Sequence, residues 1–143
     1  MSRIRTLGVA FSLAFAGLVG GPSLAAAPAP DLEKGKALYA ECAACHGLGE
    51  NIVGPRHCGV VGRHAGSVPD FTYSDVMKNS KIVWTDDKLH VFLTSPLSYL
   101  SGTNMGFAGL FDVAERNDLI AYLKQVSDDP SCAAVPAEQK GKR

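Results

Sequence analysis

The sequence predicts an all-α domain, and three observations carry that expectation. Apolar residues recur at helical spacing in three separate segments. No stretch alternates apolar and polar residues as a half-buried strand would. Between the helical segments lie two glycine-rich stretches, too interrupted for regular structure and too long for simple turns. The 143 residues are 46% hydrophobic and 20% charged, which suits one globular domain with a modest core.

The chain opens on a segment that does not belong to this domain. Arg3 and Arg5 precede an apolar run from Leu7 to Val19, followed by small residues at Ser23, Ala25, Ala26 and Ala27. That is the pattern of a cleaved signal peptide, with cleavage after Ala25 or Ala27, and we assign it residues 1–27. The run is short for a bilayer span, and an uncleaved anchor is the competing reading. Export implies a periplasmic address and permits disulfides. Removal of the leader takes Arg3 and Arg5 from 14 basic residues, leaving 12 against 14 acidic ones. No polybasic stripe remains to recruit nucleic acid.

The domain follows over residues 28–130. Asp31 is placed to cap a first helix running to about Ala43, with Leu32, Gly35, Leu38 and Tyr39 on one face. Glycine costs about 1 kcal/mol relative to alanine inside a helix, so Gly35 implies close approach of another helix. The helix ends in Cys42-Ala43-Ala44-Cys45-His46. This C-x-x-C-H spacing is the c-type haem attachment pattern: two thiols are placed for the two vinyl groups and the adjacent imidazole for the iron. A thioredoxin-like redox pair and half of a zinc site use the same C-x-x-C, but His46 has no required role in a redox pair, and no second C-x-x-C follows to complete a zinc cluster.

Glycines at 47, 49, 54, 59, 62 and 66, with Pro55 among them, predict an extended loop. Phe71-Thr72-Tyr73-Ser74 opens a short helical turn. Thr85, after Trp84, caps a helix whose face carries Leu89, Phe92 and Leu93, and Pro96 marks its end. A second glycine-rich loop runs from Ser101 to Gly109. Asp112 with Glu115 forms a capping box for the last helix, whose stripe is Leu119, Tyr122, Leu123 and Val126 and which stops before Pro130. Residues 131–143 read as a polar, mobile tail, apart from Cys132.

In this order, Gly35-Lys36, Cys42 to His46, Gly54-Pro55, Gly62-Arg63, Phe71 to Ser74, Trp84-Thr85, Gly102-Thr103-Asn104-Met105, Phe107-Ala108-Gly109 and Asp118 to Leu123 resemble the class I cytochromes c over residues 31–127. The resemblance implies the cytochrome c fold, with three main helices, short helical turns and loops wrapped around one covalent haem c. It implies thioether links at Cys42 and Cys45 and axial ligands His46 and Met105. Pro55 then matches the residue whose carbonyl orients the proximal imidazole. Arg63, Tyr73 and Trp84 match the surroundings of the propionates, and Phe107 the aromatic near the exposed haem edge. Met77 is a weaker candidate ligand. His57, His64 and His90 read as solvent-facing or core histidines before they read as ligands.

Three departures from the resemblance stand out. Phe92 and Met77 occupy positions where many relatives carry tyrosine and asparagine, leaving fewer polar groups on the distal side. Leu97, Ser98, Asn104, Phe111 and Asp112 stand where lysines steer the mitochondrial type, which implies weak electrostatic steering and docking through Leu97, Phe107, Leu110 and Phe111. Cys58 and Cys132 form an even leftover pair outside the motif, and the alignment places them where a disulfide is feasible and would tether the tail through Cys132.

The resemblance implies a periplasmic one-electron carrier, a monomer and not an enzyme. Its partners would be membrane or periplasmic redox proteins: a quinol-oxidising cytochrome complex, a terminal oxidase, a photosynthetic reaction centre or a dehydrogenase. Two alternatives remain: a subunit docked on a periplasmic dehydrogenase, and a haem peroxidase or sensor should Met105 dissociate.

Overall fold

The computed structural model describes residues 28–133; the expected signal peptide and the tail beyond residue 133 lie outside them. Six helices follow in order: α1 (Leu32–Ala43), α2 (Asp75–Lys78), α3 (Asp86–Thr94), α4 (Pro96–Tyr99), α5 (Val113–Gln125) and α6 (Pro130–Ala133), with a 3-10 turn at Val126–Asp128 after α5. Among the described residues the only extended pairings are two isolated bridges, His46 with Asn51 and His64 with Val83. The domain is all-α. None of its described helices is long and apolar enough to cross a membrane.

The three long helices start where their caps dictate. The Asp31 carboxylate accepts from the backbone N–H groups of Glu33 and Lys34, the Thr85 hydroxyl from Lys88, and Asp112 from Glu115. Each side chain satisfies a backbone donor that a helix start leaves unpaired. Asp31 does more, because its own N–H donates to the Asp118 carboxylate at 2.8 Å and so ties the start of α1 to α5. Lys34 adds contacts of 3.8 Å to Asp118 and 4.0 Å to Glu115.

Packing of α1 on α5 is the main helix contact. Gly35 makes it possible: a Cβ there would sit 2.1 Å from the Asp118 carbonyl oxygen and 2.9 Å from Tyr122 Cβ. Beside it, the rings of Tyr39 and Tyr122 lie 5.4 Å apart. Leu119, Ile120 and Leu123 continue the core toward Leu89, Phe92 and Leu93 of α3.

Four expectations need correction. Leu32 is 39% exposed, so the buried face of α1 narrows to Gly35 and Tyr39, with Leu38 half-buried. Pro96 does end α3, yet it also opens α4, because a proline at the first helical position lacks only an N–H that would be unpaired anyway. Pro130 repeats this behaviour and opens α6. The tail therefore starts with a helical turn rather than a loose end. Val126 leaves the α-helix for the 3-10 turn but stays buried.

Candidate functional site

Where α1 ends, the chain turns sharply: the N–H groups of Cys45 and His46 both donate to the Cys42 carbonyl, at 3.0 and 2.9 Å. The turn brings Cys42, Cys45 and His46 to one wall of a cavity of about 410 Å³. The opposing stretches come from far along the chain. Met105, Phe107, Thr103 and Asn104 arrive from the second glycine-rich loop, Trp84 and Tyr73 from the middle of the sequence, and Leu89, Phe92 and Leu93 from α3. Cys42, Cys45, His46, Pro55, Arg63, Tyr73, Trp84, Met105 and Phe107, all singled out from the sequence, line this cavity together.

The His46 ring is seated by its surroundings. Its Nδ1 lies 2.7 Å from the Pro55 carbonyl oxygen, an acceptor, so Nδ1 carries the proton and Nε2 keeps a free lone pair. Burial lowers the pKa of the ring below 6.5, so it is neutral, the state in which imidazole binds a metal. Gly54 lets the loop come this close. A Cβ at that position would lie 2.3 Å from His46 Cε1 and 2.6 Å from Nδ1.

Arg63 is 2% exposed, and its guanidinium donates to the carbonyls of Cys58 and Arg56, each at 2.9 Å. Burial brings its pKa down to about 10, leaving it cationic at neutral pH. A buried positive charge on an apolar cavity wall suits an anionic group of a ligand. Tyr73 also lines this part of the cavity, its hydroxyl pKa raised mainly by burial.

Met77 and Phe92 are two of the positions at which this chain departs from the resemblance. Both are buried and both line the cavity. Met77 therefore belongs to the cavity wall, although it stands in α2. His57 also lines the cavity and is stacked on His46, a role its place in a glycine-rich loop did not reveal. His64 lines it too, whereas His90 faces a surface groove beside Arg116.

Cys58 and Cys132 lie apart from the cavity, joined in a disulfide and fully buried, with Leu48 packed against them. Leu97 and Phe111 are 53% and 72% exposed, while Phe107 and Leu110 are half-buried.

These features weigh against the other uses of C-x-x-C. A redox pair needs a readily formed thiolate, but burial, with the charge of Glu41, pushes the Cys42 thiol up to about 11. A zinc site needs a second set of ligands, and no cluster of three or more His, Cys, Asp or Glu side chains able to hold a metal occurs among the described residues. A porphyrin needs a large apolar cleft with thiols and a neutral imidazole at its edge, and these residues fit it. Fold and site together define a c-type haem protein.

The chain belongs to the cytochrome c family: the family model described as Cytochrome c matches residues 32–127. It is 40% identical over 122 residues to "Cytochrome c2" of Blastochloris viridis, covering 83% of this chain and 96% of that one. "Cytochrome c" of Euglena viridis is 45% identical over 101 residues, covering 68% and 99%. Among solved structures, "cytochrome cH from Methylobacterium extorquens" superposes with a TM-score of 0.65 at 38% identity, covering 66% of this chain and 98% of that one. The cofactor is a single covalent haem c, and the chain is an electron carrier.

Proposed function

We propose that the protein is a periplasmic one-electron carrier in which Cys42 and Cys45 would attach the haem c and His46 and Met105 would hold its iron. When bound, the haem iron supplies a reversible one-electron couple. The rest is done by the chain. Pro55 accepts the His46 Nδ1 proton, which fixes the tautomer and raises the basicity of the ring as a ligand. The thioether of Met105 favours ferrous iron and raises the potential. Arg63 supplies positive charge for propionates, and the apolar wall formed by Met77, Phe92 and Leu93 keeps water from the distal side. His46 and Met105 would both be engaged in holding the iron, which would leave no place on it for a substrate, so we read the protein as a carrier rather than an enzyme.

The observation that carries this reading is the meeting of Cys42, Cys45, His46 and Met105 on one cavity, although Met105 lies 59 positions after His46 in the chain. Visible spectroscopy of exported protein tests it. The parent should show a Soret band and a pyridine haemochrome of a c-type haem. Cys42→Ser with Cys45→Ser should lose covalently bound haem on denaturing gels, and Met105→Ala should lose the sulfur-to-iron charge-transfer band and gain cyanide binding at neutral pH. A folded but colourless parent protein would sink the proposal.

Partners would be redox proteins of the membrane or periplasm, of the kinds named above. Leu97 and Phe111 present exposed apolar surface, with Phe107 and Leu110 close before Phe111 in the chain, and this supports docking through apolar contact. Electron-transfer rates with the partner should then fall little with added salt. The same surface supports a second reading, in which the protein stays docked on a periplasmic dehydrogenase. Size-exclusion of a native extract separates the two, since a free carrier elutes near its own mass.

A further inference from the structure

The haem-carrying arrangement gives no task to His57, a polar side chain of the cavity wall. The His57 ring stacks on the His46 ring with centroids 4.2 Å apart and planes 18° apart. Tyr39 meets His57 edge-on at 5.7 Å, and the Tyr39 hydroxyl donates to the His46 carbonyl, so one α1 residue braces the His57 ring and the His46 backbone. The backbone of His57 is fixed as well, its N–H donating to the Gly47 carbonyl at 3.0 Å. Yet His57 Nδ1 is sealed from solvent with no hydrogen-bond partner. An unpaired buried polar atom is destabilising, so an aliphatic side chain would be the more stable choice at this position if packing were the only demand.

We propose that His57 is a positioning residue for the proximal ligand: stacked on His46, it fixes the plane of that ring and, as a polar ring against the ligand, favours the ferric state of the haem. This rests on the reading of His46 as an axial ligand. The Pro55 hydrogen bond holds His46 at one atom and Gly54 comes close to the ring, yet these two alone leave the ring freedom to tilt away from them. The stacked ring closes one face and removes that freedom. Oxidation adds a positive charge to the haem and, through the bond, to its imidazole ligand. An apolar shell opposes that charge, and a polar, polarisable neighbour relieves it.

Equilibrium redox titration of the haem-loaded protein at pH 7 tests the proposal, with far-UV circular dichroism and Soret intensity as checks on folding. His57→Leu should raise the ferrous-to-ferric ratio at a fixed ambient potential at least about threefold, tenfold corresponding to about 59 mV for a one-electron couple. It should also move the paramagnetically shifted His46 ring resonances of the ferric protein. His57→Phe keeps a flat ring without nitrogens, and it should raise the ratio while leaving those resonances near their parent positions. A parent-like ratio in both variants overturns the proposal. So does a parent-like ratio in His57→Phe beside a shifted one in His57→Leu, since ring packing would then account for everything. Should His57→Leu fail to fold, His57→Phe decides on its own. A colourless parent would instead refute the haem assignment of His46, so the two failures are distinguishable.

Discussion

At the scale of single residues, the site depends on side chains whose partners lie far along the chain, and the Arg56–Asp70 pair is an example. Arg56 is 2% exposed and lies 2.7 Å from the Asp70 carboxylate, and its own N–H donates to Asn51 Oδ1. It therefore fixes the loop between Pro55 and Arg63, and the Arg56 carbonyl in turn receives Arg63. The hydrogen bond from Arg56 brings the Asp70 carboxyl from its ordinary 3.8 down to about 2. A pKa lower in the folded than in the unfolded state adds stability that is complete above about pH 4 and is lost as pH falls toward about 2. Asp70→Asn should thus lower the denaturant midpoint at pH 6, with the difference from the parent shrinking between pH 4 and 2. A difference that stays constant down to pH 2 would show that the pair does not account for it. Cys42, Cys45 and His46 are readable from the sequence because their chemistry is local, whereas the His57 stack was hidden. It follows from the path of a loop that has no periodicity to reveal which way a side chain turns.

Helices were predictable as far as their signals are local. Asp31, Thr85 and Asp112 cap the helices the sequence assigned them, since capping needs only a side chain and the next three residues. In sequence the two prolines show only the stops, because nothing local reveals that the missing N–H that ends one helix is harmless at the start of the next. Leu32 fits the helical stripe but stays 39% exposed, since α5 reaches α1 at Gly35 and Tyr39. That crossing makes a definite prediction. On helix propensity alone Gly35→Ala would stabilise by about 1 kcal/mol. Here the added methyl would lie 2.1 Å from the Asp118 carbonyl oxygen, which is backbone and cannot rotate away. Separating the helices would also stretch the 2.8 Å bond from Asp31 to Asp118. We expect net destabilisation of about 1–3 kcal/mol, in the range of overpacked cores, measured by guanidinium unfolding of the haem-loaded protein. A stabilised variant would mean the crossing is loose.

Across the whole molecule, the cofactor and the disulfide restrain different parts of the chain. The cavity gathers residues from Glu41 to Leu123, whereas Cys58–Cys132 ties the loop beyond Pro55 to α6, across a sequence separation of 74. The two restraints meet in the loop. Cys58 follows His57, its N–H donates to the Leu48 carbonyl, and its own carbonyl receives Arg63. Pairing of Cys58 with Cys132 is inferable from an even count of leftover cysteines in a chain whose start reads as a signal peptide, but the helical turn that carries Cys132 is not, since it depends on Pro130 starting a helix. Loss of the bridge should act mainly on the unfolded state, which gains freedom when a loop of this length opens. The chain-entropy estimate is about 4 kcal/mol, an upper figure. Replacing both cysteines with alanine avoids leaving a hydroxyl in a site that is fully buried. Cys58→Ala with Cys132→Ala should lower the guanidinium midpoint and steepen the denaturant dependence, because the unlinked chain exposes more surface when unfolded. The visible spectrum at low denaturant should stay at its parent form, since neither sulfur lines the cavity. An altered spectrum beside an unchanged midpoint would reverse the assignment, making the bridge a support for the haem loop rather than a restraint on the unfolded chain.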